Sequence, residues 1–243
     1  MIPVLKYQIP TIITAQMIEV DRLMLEEYKI DLSQMMENAG LNLALLAKEV
    51  FLNSNLLGKD IVVLAGPGGN GGGVMVAARR LLNWGANVSL ILSTKSEKLT
   101  PVPAKQFEIL QKIGIEVLNE IPATADLIID GIIGYSITGN PRGKAKELIG
   151  SANASSVPVL SLDTPSGLDL TTGIPAAPCL KANATLTLAM PKKGLFADTA
   201  IDFVGELYLA DISVPPSLYE NLGIDIKNVQ EIFLESTIVK IQV

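Results

Sequence analysis

No histidine occurs among the 243 residues. That absence removes Ser-His-Asp and Cys-His nucleophile systems and every imidazole-ligated zinc or iron site. Proton transfer then falls to Asp, Glu, Lys, Tyr or water, and any metal is hard and oxygen-ligated. Cysteine is nearly missing as well. The lone Cys179 excludes an internal disulfide framework and suits a reducing, cytoplasmic setting. Clusters of Lys and Arg are lacking, and a formal net charge of −6 speaks against a nucleic-acid binder. The longest apolar runs reach only about ten residues, too short to span a membrane. The opening Met1-Ile2-Pro3-Val4-Leu5-Lys6 has no basic segment followed by a long apolar one, so no signal peptide is evident. No repeat, low-complexity tract or Pro/Ser linker divides the chain, and a single domain over residues 1–243 is expected.

What the chain does have is apolar material: 49% of its residues are hydrophobic and 18% charged, enough for a substantial core. Thr14 is placed to cap a helix over 15–28, with Met17, Val20, Leu23 and Met24 on one face, and Asp31 to cap a second over 32–53. Apolar runs at 60–65, 87–92, 115–118, 126–130 and 157–162 read as strands, and 73–84, 101–113 and 142–153 as the helices between them. Two further strands are expected at 184–189 and 205–210. Strands alternating with helices predict an α/β fold with a mostly parallel sheet covered on both faces, preceded by N-terminal helices.

The run Gly66-Pro67-Gly68-Gly69-Asn70-Gly71-Gly72-Gly73 packs six glycines into eight residues. Such a run lowers folding entropy and persists where backbone must approach something closely or adopt φ > 0. Strand, glycine-rich turn and helix together aim free N–H groups and a helix N-terminus at an anion, commonly a phosphate; a flexible turn is the alternative. No Lys follows, as a P-loop requires. The dinucleotide fingerprint fits loosely over 66–71, but the second strand ends in Ser93-Thr94-Lys95 with no acid, which disfavours an ordinary NAD-dependent dehydrogenase.

Ligands of such sheets sit at the carboxyl ends of the strands. Beside the glycine run, two more loops meet that edge: Asp130-Gly131-Ile132-Ile133-Gly134-Tyr135-Ser136-Ile137-Thr138-Gly139-Asn140, and Asp163-Thr164-Pro165-Ser166-Gly167-Leu168-Asp169. Asp130 and Asp163 each follow an apolar run. Either caps the next turn, or ligates a cation or works as an acid/base; partial burial raises such a group's pKa. Asn70 and Ser166 would add neutral oxygens, and a set with one acid suits a large monovalent cation better than Mg²⁺. Met35 and Met36 on the second helix read as core filler, with Gly40 permitting a close helix approach. Pro191-Lys192-Lys193-Gly194 reads equally as a phosphate contact or a solvated turn.

Together these segments resemble the YjeF N-terminal domain family, the NAD(P)H-hydrate epimerases. The resemblance covers nearly the whole chain. It runs through Thr14-Ala15-Gln16-Met17, Met36-Glu37-Asn38-Ala39-Gly40, the glycine run with Val76-Ala77-Ala78-Arg79, and the loops that Asp130 and Asp163 open. It continues through Thr172-Gly173, Leu188-Ala189-Met190-Pro191-Lys192-Lys193-Gly194-Leu195 and Ser213-Val214-Pro215-Pro216. The resemblance implies a Rossmann-like three-layer αβα sandwich. It implies an isomerase that interconverts the R and S hydrates of NADH and NADPH (NADHX and NADPHX), damaged cofactors carrying water on C6 of the nicotinamide ring. A dehydratase then completes the repair; bacterial members often carry one as a C-terminal domain, and the 243 residues hold none. By position, Asn70, Asp130 and Ser166 match potassium ligands. Gly69, Asn70, Gly71, Gly72 and Gly73, with Gly134, Tyr135, Ser136, Ile137, Thr138, Gly139 and Asn140, match the substrate-binding loops. Asp163 matches the aspartate at the reacting end of the substrate, and with neither His nor a reactive Cys available it is the expected acid/base. The oligomeric state is open, a homodimer included.

The chain departs from the family's Gly-x-Gly-Asn-Asn-Gly-Gly-Asp-Gly pattern: Gly69 replaces an Asn, Gly73 the Asp and Val74 the last Gly. Each lost polar group removes roughly 0.5–3 kcal/mol of substrate hydrogen bonding. The alternative function is therefore a catalytically weakened nucleotide-binding or scaffold protein on the same fold.

Overall fold

The apolar runs build one eight-stranded sheet in a computed structural model of the chain, which describes residues 2–5, 7–135, 137–225 and 229–242. Two helices, α1 (Thr14–Glu26) and α2 (Leu32–Leu46), precede it. The strands β1 (Asp60–Ala65), β2 (Asn87–Leu92) and β3 (Glu116–Val117) alternate with α3 (Gly69–Asn83) and α4 (Pro101–Lys112). Then come β4 (Leu127–Gly131), α5 (Gly143–Ala154), β5 (Val159–Leu162), β6 (Ala184–Leu188), α6 (Ile201–Val204) and β7 (Glu206–Ala210). Two short helices, α7 (Pro216–Asn221) and α8 (Val229–Ile232), lead to β8 (Ile238–Ile241).

The spatial order is β3-β2-β1-β4-β5-β6-β7-β8, parallel throughout except that β8 runs antiparallel to β7. Side chains of β1 point to alternate faces, as the strand period demands. Ile61, Val63 and Ala65 pack under α2, α3 and α4, while Val62 and Leu64 pack with Leu148, Ile149 and Ala152 of α5. A third cluster joins α1 and α7 to the far side, through Met17, Val20, Met24, Leu218 and Tyr219. This is the expected three-layer αβα architecture. The winding direction reverses between β1 and β4, so the segments leaving those strands diverge and open a crevice at their carboxyl ends. Among the described residues no helix is long and apolar enough to cross a membrane.

Several features differ from the sequence expectation, the short helices α6, α7 and α8 among them. Helix α3 begins at Gly69 rather than 73, so only Gly66-Pro67-Gly68 is turn and the other glycines form the first turns of the helix. Poor intrinsic propensity is overridden by packing: α3 is pressed between α2 and the sheet, and Val74, Met75, Val76, Ala77 and Ala78 are all buried. At the crossing, a Cβ on Gly40 would lie 2.5 Å from Val76 Cβ, which is the close helix approach expected of that glycine. Thr14 is the first residue of α1 rather than its cap; Ile13 takes the cap position, and its N–H donates to Gln16 Oε1 at 3.0 Å. The second helix keeps α geometry only to Leu46 and widens over 47–51. Strand β8 was not expected, since four residues with one lysine carry little pattern.

Candidate active site

The crevice is a cavity of about 550 Å³. One side is formed by α3 and the turn before it. Gly68, Gly69, Asn70, Gly71 and Gly73 line it, and among the described residues no side chain caps the helix, so its first N–H groups are left for an occupant. None of these glycines has positive φ; close approach excludes a side chain at Gly71 and Gly73, while Gly68 and Gly69 have open space. A Cβ on Gly66 would overlap the Ile132 carbonyl oxygen, and one on Gly71 the Gly66 carbonyl oxygen. Gly72 faces Met36 instead of the cavity, and a Cβ on Gly73 would meet Leu162 Cδ2 at 2.5 Å. Gly69 has nothing within 4 Å of such a Cβ.

The tip of β4 supplies Asp130, which is fully buried. Among the described residues its carboxylate accepts four hydrogen bonds: Oδ1 from the Ile132 N–H (3.1 Å) and the Ser166 hydroxyl (2.6 Å), Oδ2 from the Ser161 hydroxyl (2.9 Å) and the Ser166 N–H (2.9 Å). All four donors are uncharged. Burial pushes the pKa of this carboxyl up, and the hydrogen bonds from Ser166, Ile132 and Ser161 pull against it. The Ser166 hydroxyl also accepts the Ile133 N–H at 2.9 Å. Asn70 donates from its amide to the Leu162 carbonyl at 2.8 Å, which turns its Oδ1 toward Gly134. Asn70, Asp130 and Ser166 thus gather around the turn that follows β4. Among the described residues no group of three or more His, Cys, Asp or Glu side chains is placed to hold a metal ion.

The tip of β5 supplies Asp163, 2% exposed, with its backbone in the left-handed region at φ 65°. That conformation is uncommon for a residue with a side chain and marks a constrained position. Its Oδ1 accepts from Lys192 Nζ at 2.5 Å, the Leu188 N–H at 3.2 Å and the Thr187 hydroxyl at 3.3 Å. Among the described residues these donors all fall on Oδ1, and Asp163 lines the cavity. Lys192 is fully buried and also donates to the Leu188 carbonyl at 2.9 Å. It is therefore neither the phosphate-binding turn nor the solvated one; Lys193 beside it is exposed.

The remaining wall comes from the N-terminal helices. Met17, Asp21 and Leu25 of α1 and Met35, Met36 and Ala39 of α2 line the cavity. The methionines are core residues, as expected, and they also form its apolar side. Asp21 Oδ2 accepts a short hydrogen bond from the Tyr135 hydroxyl. Burial raises the pKa of Asp21, against the Tyr135 hydrogen bond and the Lys192 charge, and Asp163 adds to the rise. Burial, then the Asp21 charge, likewise pushes the Tyr135 hydroxyl up.

Of the expected loop 134–140, Gly134 and Tyr135 line the cavity. Ile137, Thr138, Gly139 and Asn140 do not: Thr138, Gly139 and Asn140 are exposed, and Asn140 Oδ1 accepts the Ala177 N–H at 2.9 Å. Ser136 lies outside the described residues. Of the polar residues of the cavity, Asp21 has no place in the sequence reading, and Lys192 enters it only as part of the turn 191–194. The signal for Asp21 was an acid four residues after buried Met17 on the apolar face of α1. Burial of Lys192 has no mark in the sequence beyond its place after β6.

Comparison with known proteins gives a consistent picture. The family described as YjeF-related protein N-terminus matches residues 32–194. A protein named NAD(P)H-hydrate epimerase from Dehalogenimonas lykanthroporepellens is 38% identical over 226 residues, covering 92% of this chain and 89% of that protein. One of the same name from Rhodopirellula baltica is 32% identical, over 89% of this chain and 90% of its own length. A bifunctional NAD(P)H-hydrate repair enzyme from Moorella thermoacetica is 34% identical over 84% of this chain, which spans only 40% of that protein. The crystal structure of the yeast protein ynu0 superposes with a TM-score of 0.79 at 23% identity, over 95% of this chain and 99% of that one, and shares the fold.

Proposed function

Since the chain belongs to the family of YjeF-related protein N-termini, we propose that its cavity interconverts the R and S forms of NADHX and NADPHX. The protein is an isomerase of nicotinamide nucleotide repair, an NAD(P)H-hydrate epimerase. One observation carries the reading to the residues: Asp163 is buried at a strand tip, locked through Oδ1 by Lys192, and borders the cavity. A carboxylate so fixed is positioned to move a proton at the hydrated carbon. The uncapped N-terminus of α3 suits the nucleotide phosphates. The apolar side made by Met17, Met35 and Met36 suits the ring.

A monovalent cation, K⁺, belongs to the same proposal. Asp130 is a buried carboxylate whose donors are all neutral, so an oxygen-ligated cation beside it would supply the missing charge. Asn70 Oδ1 and the Asp130 carboxylate would hold it, with Ser166 fixing Asp130. Bound there, the ion would neutralise Asp130 and stiffen the turn after β4. The bifunctional relatives support coupling to a dehydratase, and a cytoplasmic location accords with the free, buried Cys179.

The test is an NMR or chromatographic assay of R/S interconversion of NADHX with purified protein. Interconversion well above the buffer rate is expected. A rate equal to buffer, with nucleotide binding intact, would replace the enzyme by the binding-protein alternative.

A further inference from the structure

Among the described residues two carboxyls, Asp21 and Asp163, line the cavity, and the reaction proposed above uses one. Asp21 sits on α1, four residues from Met17 and from Leu25, and all three line the cavity. It comes from a helix outside the segment 32–194 that defines the family match. The Tyr135 hydroxyl holds its Oδ2, and the fields of Asp163 and Lys192 reach it. Asp163 approaches from the strand tips, on Lys192. The cavity thus has a carboxyl on its helical wall and a carboxyl on its sheet edge, each fixed by its own hydrogen-bond donor.

The chemistry asks for such a pair. Inversion at C6 by loss and return of water requires the oxygen to leave one face of the ring and arrive on the other. A single fixed carboxyl attends one face. Resting on the epimerase reading, we propose that Asp21, set by Tyr135, is the second proton-transfer residue at C6, acting on the ring face opposite Asp163. In one direction, the carboxyl on the departing side gives its proton to the C6 hydroxyl and the C6–O bond breaks, releasing water. The lone pair of the ring nitrogen forms the C=N bond of a cationic intermediate. Water then adds to C6 from the other face, the C=N pair returns to nitrogen, and the carboxylate on that side takes the proton. One proton is given and one taken, with no oxidant or reductant. The reverse direction exchanges the two roles.

The closing experiment follows inversion and exchange of the C6 oxygen together, in ¹⁸O-water, for the parent, Asp21→Asn and Tyr135→Phe. Thermal melts and NADP⁺ binding check that each variant is folded. The amide introduced by Asp21→Asn still accepts the Tyr135 bond but carries no acidic proton. With Asp163 intact, the oxygen still leaves and returns on its own face. Asp21→Asn is expected to cut inversion about 10²-fold, the scale of a lost general acid–base, while exchange falls less than about threefold; Tyr135→Phe moves the same ratio in the same direction. The proposal is overturned if inversion and exchange fall together, if neither falls, or if the parent inverts without exchange. A parent that neither inverts nor exchanges above buffer would refute the epimerase reading itself, a separate result.

Discussion

The tips of β4 and β5 each carry a buried aspartate, one strand apart, held in opposite ways. Asp130 is enclosed by neutral donors from Ile132, Ser161 and Ser166, so its bonds tie three segments of backbone to one another. Asp163 is held through one oxygen by a buried ammonium, on a backbone twisted to positive φ, at the cavity edge. The first arrangement suits a carboxylate that organises a turn, the second one that meets a substrate. Identical side chains at neighbouring strand ends thus differ in setting: among the described residues one has a charged hydrogen-bond partner and the other only neutral ones.

The contrast breaks most severely at Lys192. Lys192→Met leaves the Asp163 carboxylate buried without a cation, and removal of one member of such a pair destabilises by about 3–5 kcal/mol. Urea unfolding should show that loss, with epimerisation abolished. The double variant Lys192→Met/Asp163→Leu removes both charges and should recover most of the stability but none of the activity. If the single variant unfolds like the parent, the ion pair does not hold this edge together.

Asp163→Asn comes next. It keeps the shape and removes the charge, and epimerisation should fall about 10²-fold or more. Titration of NADP⁺ into the folded variant should still perturb the amides of Gly68 to Gly71, the first turn of α3. Activity within tenfold of the parent would transfer the acid/base role elsewhere in the cavity.

Asp130 should respond to ions where Asp163 does not. Melts in KCl and in tetramethylammonium chloride at equal ionic strength separate a bound cation from screening. A site filled to a hundred times its Kd adds about 2.7 kcal/mol, and Asp130→Asn should abolish that difference. The substitution alone should cost roughly 1–3 kcal/mol, because amide protons would face the buried donors. Equal melting of the parent in both salts would remove K⁺ from the proposal.

These residues also show which parts of the site could be read in advance. Strand 60–65 ends where its apolar run ends, since a parallel strand buried on both faces leaves an uninterrupted signal. Asp130 and Asp163 stood out as polar residues closing such runs, and alternation of elements brought both to one edge. Partners were hidden. Lys192 meets Asp163 from 29 residues away, and Tyr135 meets Asp21 from 114; pairing at such distances is a property of the packed fold. Six glycines look like a loop by propensity, yet tertiary packing starts α3 at Gly69.

That last point yields the smallest test, at the two glycines where the family's polar residues are missing. Gly69 opens α3 with nothing within 4 Å of an added Cβ, whereas a Cβ on Gly73 would lie 2.5 Å from Leu162 Cδ2. In a helix, Gly→Ala gains about 0.5–1 kcal/mol from the unfolded state when the site has room. Gly69→Ala should collect part of that, since the first turn frays, and Gly69→Asn should fold equally well with an amide at the cavity. Gly73→Ala gains the same conformational term but must displace Leu162, which lies beside Asp163; overpacking of this kind costs about 1–3 kcal/mol. Gly73→Asp meets the same obstacle and adds a charge to it, so restoring an acid at this position should not by itself raise activity. The combination Gly73→Asp/Leu162→Ala opens the space, and a gain in epimerisation there but not in Gly73→Asp would show Leu162 to be what occupies the acid's place. Melts that rank Gly73→Ala above Gly69→Ala would contradict the difference in room between the two sites.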